Sequence, residues 1–201
     1  MKYSSTRGAV SGISFKQAVM MGLAEDGGLL VPDEIPDVRN HLQKWRSLPF
    51  QELCLEIMLQ FVGQDLSRHE LKDLVDKSFS SFRHPLITPL KKLKSCSVLE
   101  LFHGPTFAFK DVALQFLGNL FEHFLDQDGH SLNVLGATSG DTGSAAIHGL
   151  RGKKGVRVFM LHPKGRVSPV QERQMTTVLD PNIHNLSVEG SFDDAQFIVK
   201  T

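Results

Sequence analysis

The stretch NVLGATSGDTGSAAIHGLRGKKGVRVFML, residues 133–161, decides the fold class of this chain. An apolar run at 134–138 predicts a strand, and the segment at 142–150 predicts a helix. A second apolar run at 156–161 predicts another strand. Strand, helix and strand in this order predict a βαβ unit whose two strands lie parallel in one sheet.

The same alternation extends in both directions from this unit. The further predicted elements are a strand at 98–102, a helix at about 109–128 closed by Gly129, a helix opened by Ser168-Pro169 with Gln171 completing a capping box, a strand at 183–188, and a helix opened by Ser191 and Asp194. We therefore predict an α/β fold in which residues 86–201 form parallel-sheet βαβ units. A mainly helical N-terminal domain is predicted at 1–85.

Two capping boxes mark helices in the N-terminal domain, because a Ser is followed three residues later by Gln or Glu. The pairs are Ser14 with Gln17 and Ser67 with Glu70. A helix at 49–62 is predicted to bury one apolar face, made of Phe50, Leu53, Cys54, Ile57, Met58 and Phe61. The helix after Ser67 is predicted to bury Leu71, Leu74, Val75 and Phe79.

Charge and composition exclude several classes of function. The chain has 22 basic and 22 acidic residues, so no net field favours nucleic acid or an anionic membrane. No signal peptide and no apolar run long enough to cross a bilayer are visible. Cys54 and Cys96 form no CxxC pair and are predicted to be reduced core residues of a cytoplasmic protein. The nine histidines lack metal-ligand spacing, so no metal site is predicted.

Ligands in open parallel sheets bind at the carboxyl ends of the strands, which directs attention to the loops 103–110, 138–142 and 162–168. In the first loop, Lys110 is predicted to lie at the start of a helix among apolar residues. The helix N-terminus and the apolar surroundings both disfavour an ammonium, and Schiff-base chemistry needs the neutral amine. The competing interpretation is a solvent-facing lysine paired with Asp111.

The second loop lies in GATSGDTGS, residues 136–144, between a strand and a helix. Its glycines allow close approach of a ligand, and free N–H groups with the hydroxyls of Thr138, Ser139 and Thr142 suit a carboxylate or phosphate. Asp141 would repel such an anion, and an ordinary helix cap is the competing interpretation. In the third loop, Lys164 and Arg166 suit either a phosphate or a plain surface turn.

Four of these segments together resemble the threonine synthase family, whose members use pyridoxal 5'-phosphate (PLP) on fold type II. They are ELFHGPTFAFKD (100–111), GATSGDTGSAA (136–146), HPKGRVSPVQERQMTT (162–177) and VEGSFDDAQ (188–196). The N-terminal segments YSSTRG (3–8) and AEDGGLLVPDEIP (24–36) also resemble the family. The resemblance covers essentially the whole chain in the family's order. Family members are about twice as long, and the chain stops at Thr201 inside a helix that is predicted to begin near Phe192. We therefore expect a truncated chain that is inactive alone.

The resemblance implies a role for each candidate residue. Lys110 forms the Schiff base with PLP and then acts as general base and acid, while the loop of Thr138, Ser139, Gly140, Asp141 and Thr142 contacts the substrate carboxylate and the cofactor ring. His103 has a supporting or structural role. The substrate implied is O-phosphohomoserine, which is converted with water to threonine and phosphate.

Two rival functions remain open at this stage. The same lysine and loop serve a related phospho-lyase that gives a keto acid instead of threonine. A non-catalytic fragment that acts as an interaction module is the rival from another class. The sequence does not indicate an oligomeric state.

Overall fold

The computed structural model describes residues 1–200, and its first compact unit covers Met1–Asp76. The elements that begin in this unit are β1 (Tyr3–Ser5), α1 (Phe15–Met21), β2 (Leu30–Pro32), a 3-10 turn (Arg39–His41), α2 (Leu42–Trp45), α3 (Phe50–Met58) and α4 (Arg68–Phe79). The two short strands pair antiparallel, with Tyr3 opposite Pro32. The predicted mainly helical character of this region is confirmed.

Both predicted capping boxes are present and explain where α1 and α4 begin. Ser14 Oγ accepts from the Gln17 N–H at 3.3 Å, and the Gln17 side chain accepts from the Ser14 N–H at 2.8 Å. The Ser67 and Glu70 pair makes the same reciprocal contacts at 3.2 and 2.8 Å. Each box satisfies two N–H groups that a helix start otherwise leaves without partners.

The apolar face predicted for α3 is only partly correct. The deepest residue of the helix is Leu55, at 1% exposure, which the prediction did not include, whereas Ile57 is 40% exposed. The predicted face borders a cavity of about 430 Å³ lined by Ile35, Pro36, Val38, Leu42, Trp45, Arg46, Leu53, Ile57 and Phe61. On α4, by contrast, all four predicted core residues are buried.

A second compact unit begins at Lys77 and contains the α/β part of the chain. Its elements are β3 (Leu90–Lys92), β4 (Ser97–Leu99), α5 (Asp111–Asp128), β5 (Leu132–Ala137), α6 (Asp141–Leu150), β6 (Val156–Pro163), α7 (Pro169–Thr176), β7 (Ile183–Val188) and α8 (Phe192–Lys200). The domain division at residue 85 stays a prediction. No helix among residues 1–200 is both long and apolar enough to cross a membrane.

The predicted parallel sheet is confirmed, with strand order β5-β6-β7. Leu132 pairs with Val156 across the first two strands, and Val158 pairs with Ile183 across the next two. The core beside the sheet contains fully buried residues from strands and helices alike, including Phe124, Ala145, Ile147, Val158 and Met175. This core fixes the ends of the strands and therefore the loops that follow them.

The predicted strand at 98–102 is wrong in both extent and pairing. Only Ser97–Leu99 is a strand, and it pairs antiparallel with β3 in an exposed hairpin. The hairpin ends at Glu100, whose N–H donates to Pro89 O at 3.0 Å. Cys96, which was predicted to be a core residue, is exposed because it lies in the hairpin turn, while Cys54 is half-buried.

The helix starts and ends of the second unit follow the sequence closely. Gly129 ends α5 in the left-handed conformation, and Pro169 occupies the first position of α7. The Ser168 hydroxyl caps α7, but the Gln171 side chain accepts from that hydroxyl at 2.9 Å instead of completing a capping box. Ser191 and Asp194 do form reciprocal contacts at the start of α8.

Two glycines bring α5 and α6 into direct backbone contact. A Cβ on Gly118 would lie 1.9 Å from Gly149 O, and a Cβ on Gly149 would lie 2.4 Å from Leu114 O. Any side chain at either position would push the helices apart. The spacing between these helices matters because α5 follows Lys110 directly and α6 begins with Asp141.

Candidate functional site

Lys110 lies immediately before α5, as the sequence predicts for the start of this helix. Its Nζ donates to Asp141 Oδ2 at 3.0 Å and lies 4.4 Å from the centre of the Phe109 ring. The competing interpretation of a Lys110–Asp111 pair is wrong, because Asp111 is fully buried and bonds elsewhere. The structure thus joins the first two loops of the sequence analysis through one ion pair.

The surroundings of Lys110 differ from the apolar shell that its neighbours predict. Phe107 and Phe109 are 57% and 58% exposed, and the nearest polar partner of the amine is a carboxylate. The amine is therefore held in place as a hydrogen-bond donor to Asp141.

The loop before Lys110 is closed by a buried carboxylate. Asp111 Oδ2 accepts from the Thr106 N–H at 2.8 Å, and Asp111 Oδ1 accepts from the Thr106 hydroxyl at 2.7 Å. Gly104 packs so closely that a Cβ there would lie 2.4 Å from the Asp111 Cβ. Phe107 has a φ of 64°, in the left-handed region that non-glycine residues rarely occupy.

Arg83 supports this loop from outside, and the sequence analysis missed it. Its guanidinium donates to Gly104 O and, at 3.2 Å, to Pro105 O. Its Cζ also lies 4.2 Å from the centre of the Phe107 ring. No motif surrounds Arg83, so only the tertiary fold shows its role.

The loop at 138–142 is organised by Thr138, whose side chain is buried. Thr138 Oγ1 accepts from the N–H groups of Gly140 at 3.1 Å and Gly143 at 2.9 Å. Gly143 is tight against it, since a Cβ there would lie 2.3 Å from Thr138 Cγ2. The Thr138 hydroxyl is therefore used inside the loop, whereas Ser139 and Thr142 are exposed.

Lys110 also lines a cavity of about 490 Å³. Its walls are mainly apolar, and Thr142 contributes a hydroxyl from the second loop. The lining residues are Leu101, Phe109, Lys110, Val112, Ala113, Leu114 and Thr142. The structure thus brings Lys110 and Thr142 together in the wall of one cavity, and Asp141 is joined to it through its ion pair with Lys110.

His103, Lys164 and Arg166 do not line this cavity. His103 Nε2 pairs with Glu100 Oε2 at 2.8 Å, and its ring lies 4.9 Å from that of His84. Lys164 pairs with Glu189, and Arg166 is exposed. The two cations of the third loop therefore lie outside the lining of the Lys110 cavity.

Helix α7 contacts both loops of the site, which the sequence analysis did not predict. Gln174 Nε2 donates to Thr106 O at 3.3 Å, and Ser144 Oγ donates to Gln171 O at 3.4 Å. His148 on α6 contacts Gln174 O at 3.3 Å, and burial there lowers the pKa of its imidazole below the ordinary value. The residue pairs that reach both loops lie far apart in sequence, so no local motif could reveal them.

Comparisons with known proteins show which family this chain is similar to. A family model described as "Threonine synthase N terminus" matches residues 2–79. A threonine synthase of Schizosaccharomyces pombe is 58% identical over 212 residues, covering 100% of this chain and 41% of that protein.

Two solved structures share the fold. The crystal structure of threonine synthase from yeast has a TM-score of 0.93 at 50% identity, covering 100% of this chain and 43% of that one. The PLP-bound threonine synthase from Brucella melitensis has a TM-score of 0.93 at 44% identity, covering 100% of this chain and 44% of that one. The chain thus spans less than half of the length of these relatives. Over that span it belongs to the threonine synthase family.

Proposed function

We propose that this chain is part of a PLP-dependent threonine synthase, a carbon–oxygen lyase that converts O-phosphohomoserine and water to threonine and phosphate. Lys110 is the residue that would hold PLP, through its side-chain amine. The observation that carries the proposal is the 3.0 Å contact between Lys110 and Asp141, together with the mainly apolar cavity that Lys110 lines. Family membership and the PLP-bound relative support the same conclusion.

The residues around Lys110 fit an aldehyde-bearing aromatic cofactor. The amine is the group that condenses with an aldehyde, and the cavity of about 490 Å³ is large enough for a pyridine ring. Its walls of Leu101 and Val112 suit the ring faces. When bound, PLP supplies an electron sink that stabilises negative charge on the substrate carbons.

Each residue of the site then has a role that follows from its position. The Lys110 amine takes and returns protons at Cα and Cβ of the substrate. Ser139, Gly140 and Thr142 orient the substrate carboxylate at the start of α6, where free N–H groups favour an anion. Asp141 holds the amine and contacts the cofactor, and its pairing with Lys110 offsets the repulsion that its charge exerts on an anion.

Thr138 acts on the substrate indirectly in this proposal, because its buried hydroxyl shapes the loop. His103, Lys164 and Arg166 keep only supporting or phosphate-binding roles. The partner we propose is the small-molecule substrate, with neither nucleic acid nor membrane. A cytoplasmic location is also a proposal, and it rests on the two unpaired thiols of Cys54 and Cys96.

The test uses the full gene product with added PLP. We expect a visible absorbance band of the PLP–lysine linkage that Lys110→Ala abolishes and that the exposed-residue control Lys94→Ala retains. Absence of the band from the unmodified protein would refute the cofactor assignment. Product analysis separates the two reactions, since a keto acid without threonine would replace our assignment with the phospho-lyase.

A further inference from the structure

Thr106 is held from several directions although it lies in a loop. Its N–H and its hydroxyl both bond to Asp111, at 2.8 and 2.7 Å, and its carbonyl accepts from Gln174 at 3.3 Å. The side chains of Thr106 and Asp111 are 6% and 0% exposed. Every polar group of Thr106 therefore has a protein partner, and the residue is almost entirely buried.

These contacts determine the path of the chain into Lys110. Lys110 directly precedes Asp111, so the two hydrogen bonds between Thr106 and Asp111 close a loop that ends at the lysine. Within that loop Phe107 adopts a φ of 64°. A non-glycine residue keeps such a conformation only where the surrounding contacts enforce it.

Helix α7 fixes this loop relative to the second one. Gln171 and Gln174 are three residues apart and therefore share one side of the helix. Gln174 contacts Thr106, while Gln171 lies against Gly140, where a Cβ would be 2.5 Å from Gln171 Oε1. A single rigid element thus touches the residue that closes the Lys110 loop and the residue that precedes Asp141.

We propose that Asp111 and Gln174, acting through Thr106, are positioning residues that hold the Lys110 amine against Asp141. Neither side chain lines the Lys110 cavity. The purpose of this positioning, which is to present the amine to PLP, rests on the proposed function. The positioning itself can be measured without the cofactor.

The first measurement is the acetylation rate of Lys110 by acetic anhydride, relative to exposed Lys94, with peptide mass spectrometry as the readout. Gln174→Glu keeps the shape but replaces the donor to Thr106 O with a carboxylate. We expect Lys110 to react about fivefold faster, as the loss of one hydrogen bond implies. Arg173→Gln, an exposed neighbour on α7, serves as the matched control and leaves the rate unchanged.

A second pair of variants tests the hydrogen bond from the Thr106 hydroxyl to Asp111. Thr106→Val removes the hydroxyl that donates to Asp111, whereas Thr106→Ser keeps it. We expect faster acetylation of Lys110 in the valine variant and rescue in the serine variant. Lys153, whose side chain is 16% exposed, reports general loosening and should not change.

The second measurement is borohydride trapping of PLP at Lys110 in the full gene product, which we expect to fall in Gln174→Glu and Thr106→Val. If the unmodified protein traps no PLP at Lys110 but acetylation still changes, the proposed function fails and the positioning stands. An unchanged acetylation ratio in both variants would overturn the positioning. A rise shared equally by Lys153 would overturn it too, because it would show only general destabilisation.

Discussion

Replacing Gly118 by alanine tests whether backbone contact between α5 and α6 sets the geometry of the site. The added Cβ would lie 1.9 Å from Gly149 O, which must move to at least the 3.4 Å of ordinary van der Waals contact. Both groups belong to helix backbones, so no flexible side chain can absorb the shift. The helices must separate, and with them Lys110 and Asp141.

The expected change in the free energy of unfolding follows from two opposing effects. Alanine is better than glycine in a helix interior by about 1 kcal/mol. Overpacking of a rigid contact costs typically ~1–3 kcal/mol and sometimes more, and this contact lies at the severe end. We therefore expect a net loss of about 2 kcal/mol, or roughly 4–8 °C in melting temperature.

The assay is urea unfolding followed by circular dichroism, together with borohydride trapping of PLP at Lys110 in the full gene product. Gly129→Ala is the matched control, because Gly129 has a φ of 67° and open space around it. That variant should lose about 1 kcal/mol through backbone strain but trap PLP normally. A Gly118→Ala protein as stable as the original, with normal trapping, would refute the reasoning.

Three further predictions concern other parts of the chain. Burial raises the pKa of the Cys54 thiol to about 11, so iodoacetamide at pH 8 should label exposed Cys96 much faster than Cys54; equal rates in peptide mass spectrometry would contradict this. His148 has a pKa lowered mainly by burial, so the unfolded state binds its proton first and stability should fall as the pH drops through about 6.5. His148→Gln should weaken this dependence of stability on pH in urea titrations at pH 5 to 8. An unchanged dependence would show that other groups cause it. Finally, the 201-residue chain alone, which spans less than half of its relatives, should bind PLP weakly and release no threonine; robust product formation in an amino-acid assay would contradict this.

Local signals carried most of the correct predictions about the fold. The boxes at Ser14 and Ser67 and the glycine after α5 involve residues within a few positions of one another, so the sequence displays them directly. The three parallel strands were equally readable from their apolar runs. The failure at 98–102 has a different cause, because an apolar run does not reveal whether its partner is a parallel strand or an adjacent hairpin strand.

The sequence predicted the candidate site only in part, because it shows local patterns and not contacts between distant residues. The positions of Lys110 and of the loop at 138–142 follow from elements that are close in sequence. The 3.0 Å pairing of Lys110 with Asp141 and the supports from Arg83 and Gln174 depend on the tertiary fold. Burial of Asp111 is likewise invisible in a sequence, where a carboxylate after a lysine suggests a surface pair.

The register of the parallel sheet has a consequence for the order of folding. Leu132 pairs with Val156 and Val158 with Ile183, so each strand pairing closes a long segment of chain that includes a helix. Such distant pairings form slowly, whereas a single helix forms within about a microsecond. We therefore expect a newly made chain to sample α5 and its lysine before it forms the loop that leads into Asp141. During that interval the Lys110 amine is open to any aldehyde, and it acquires its carboxylate partner only when the sheet closes.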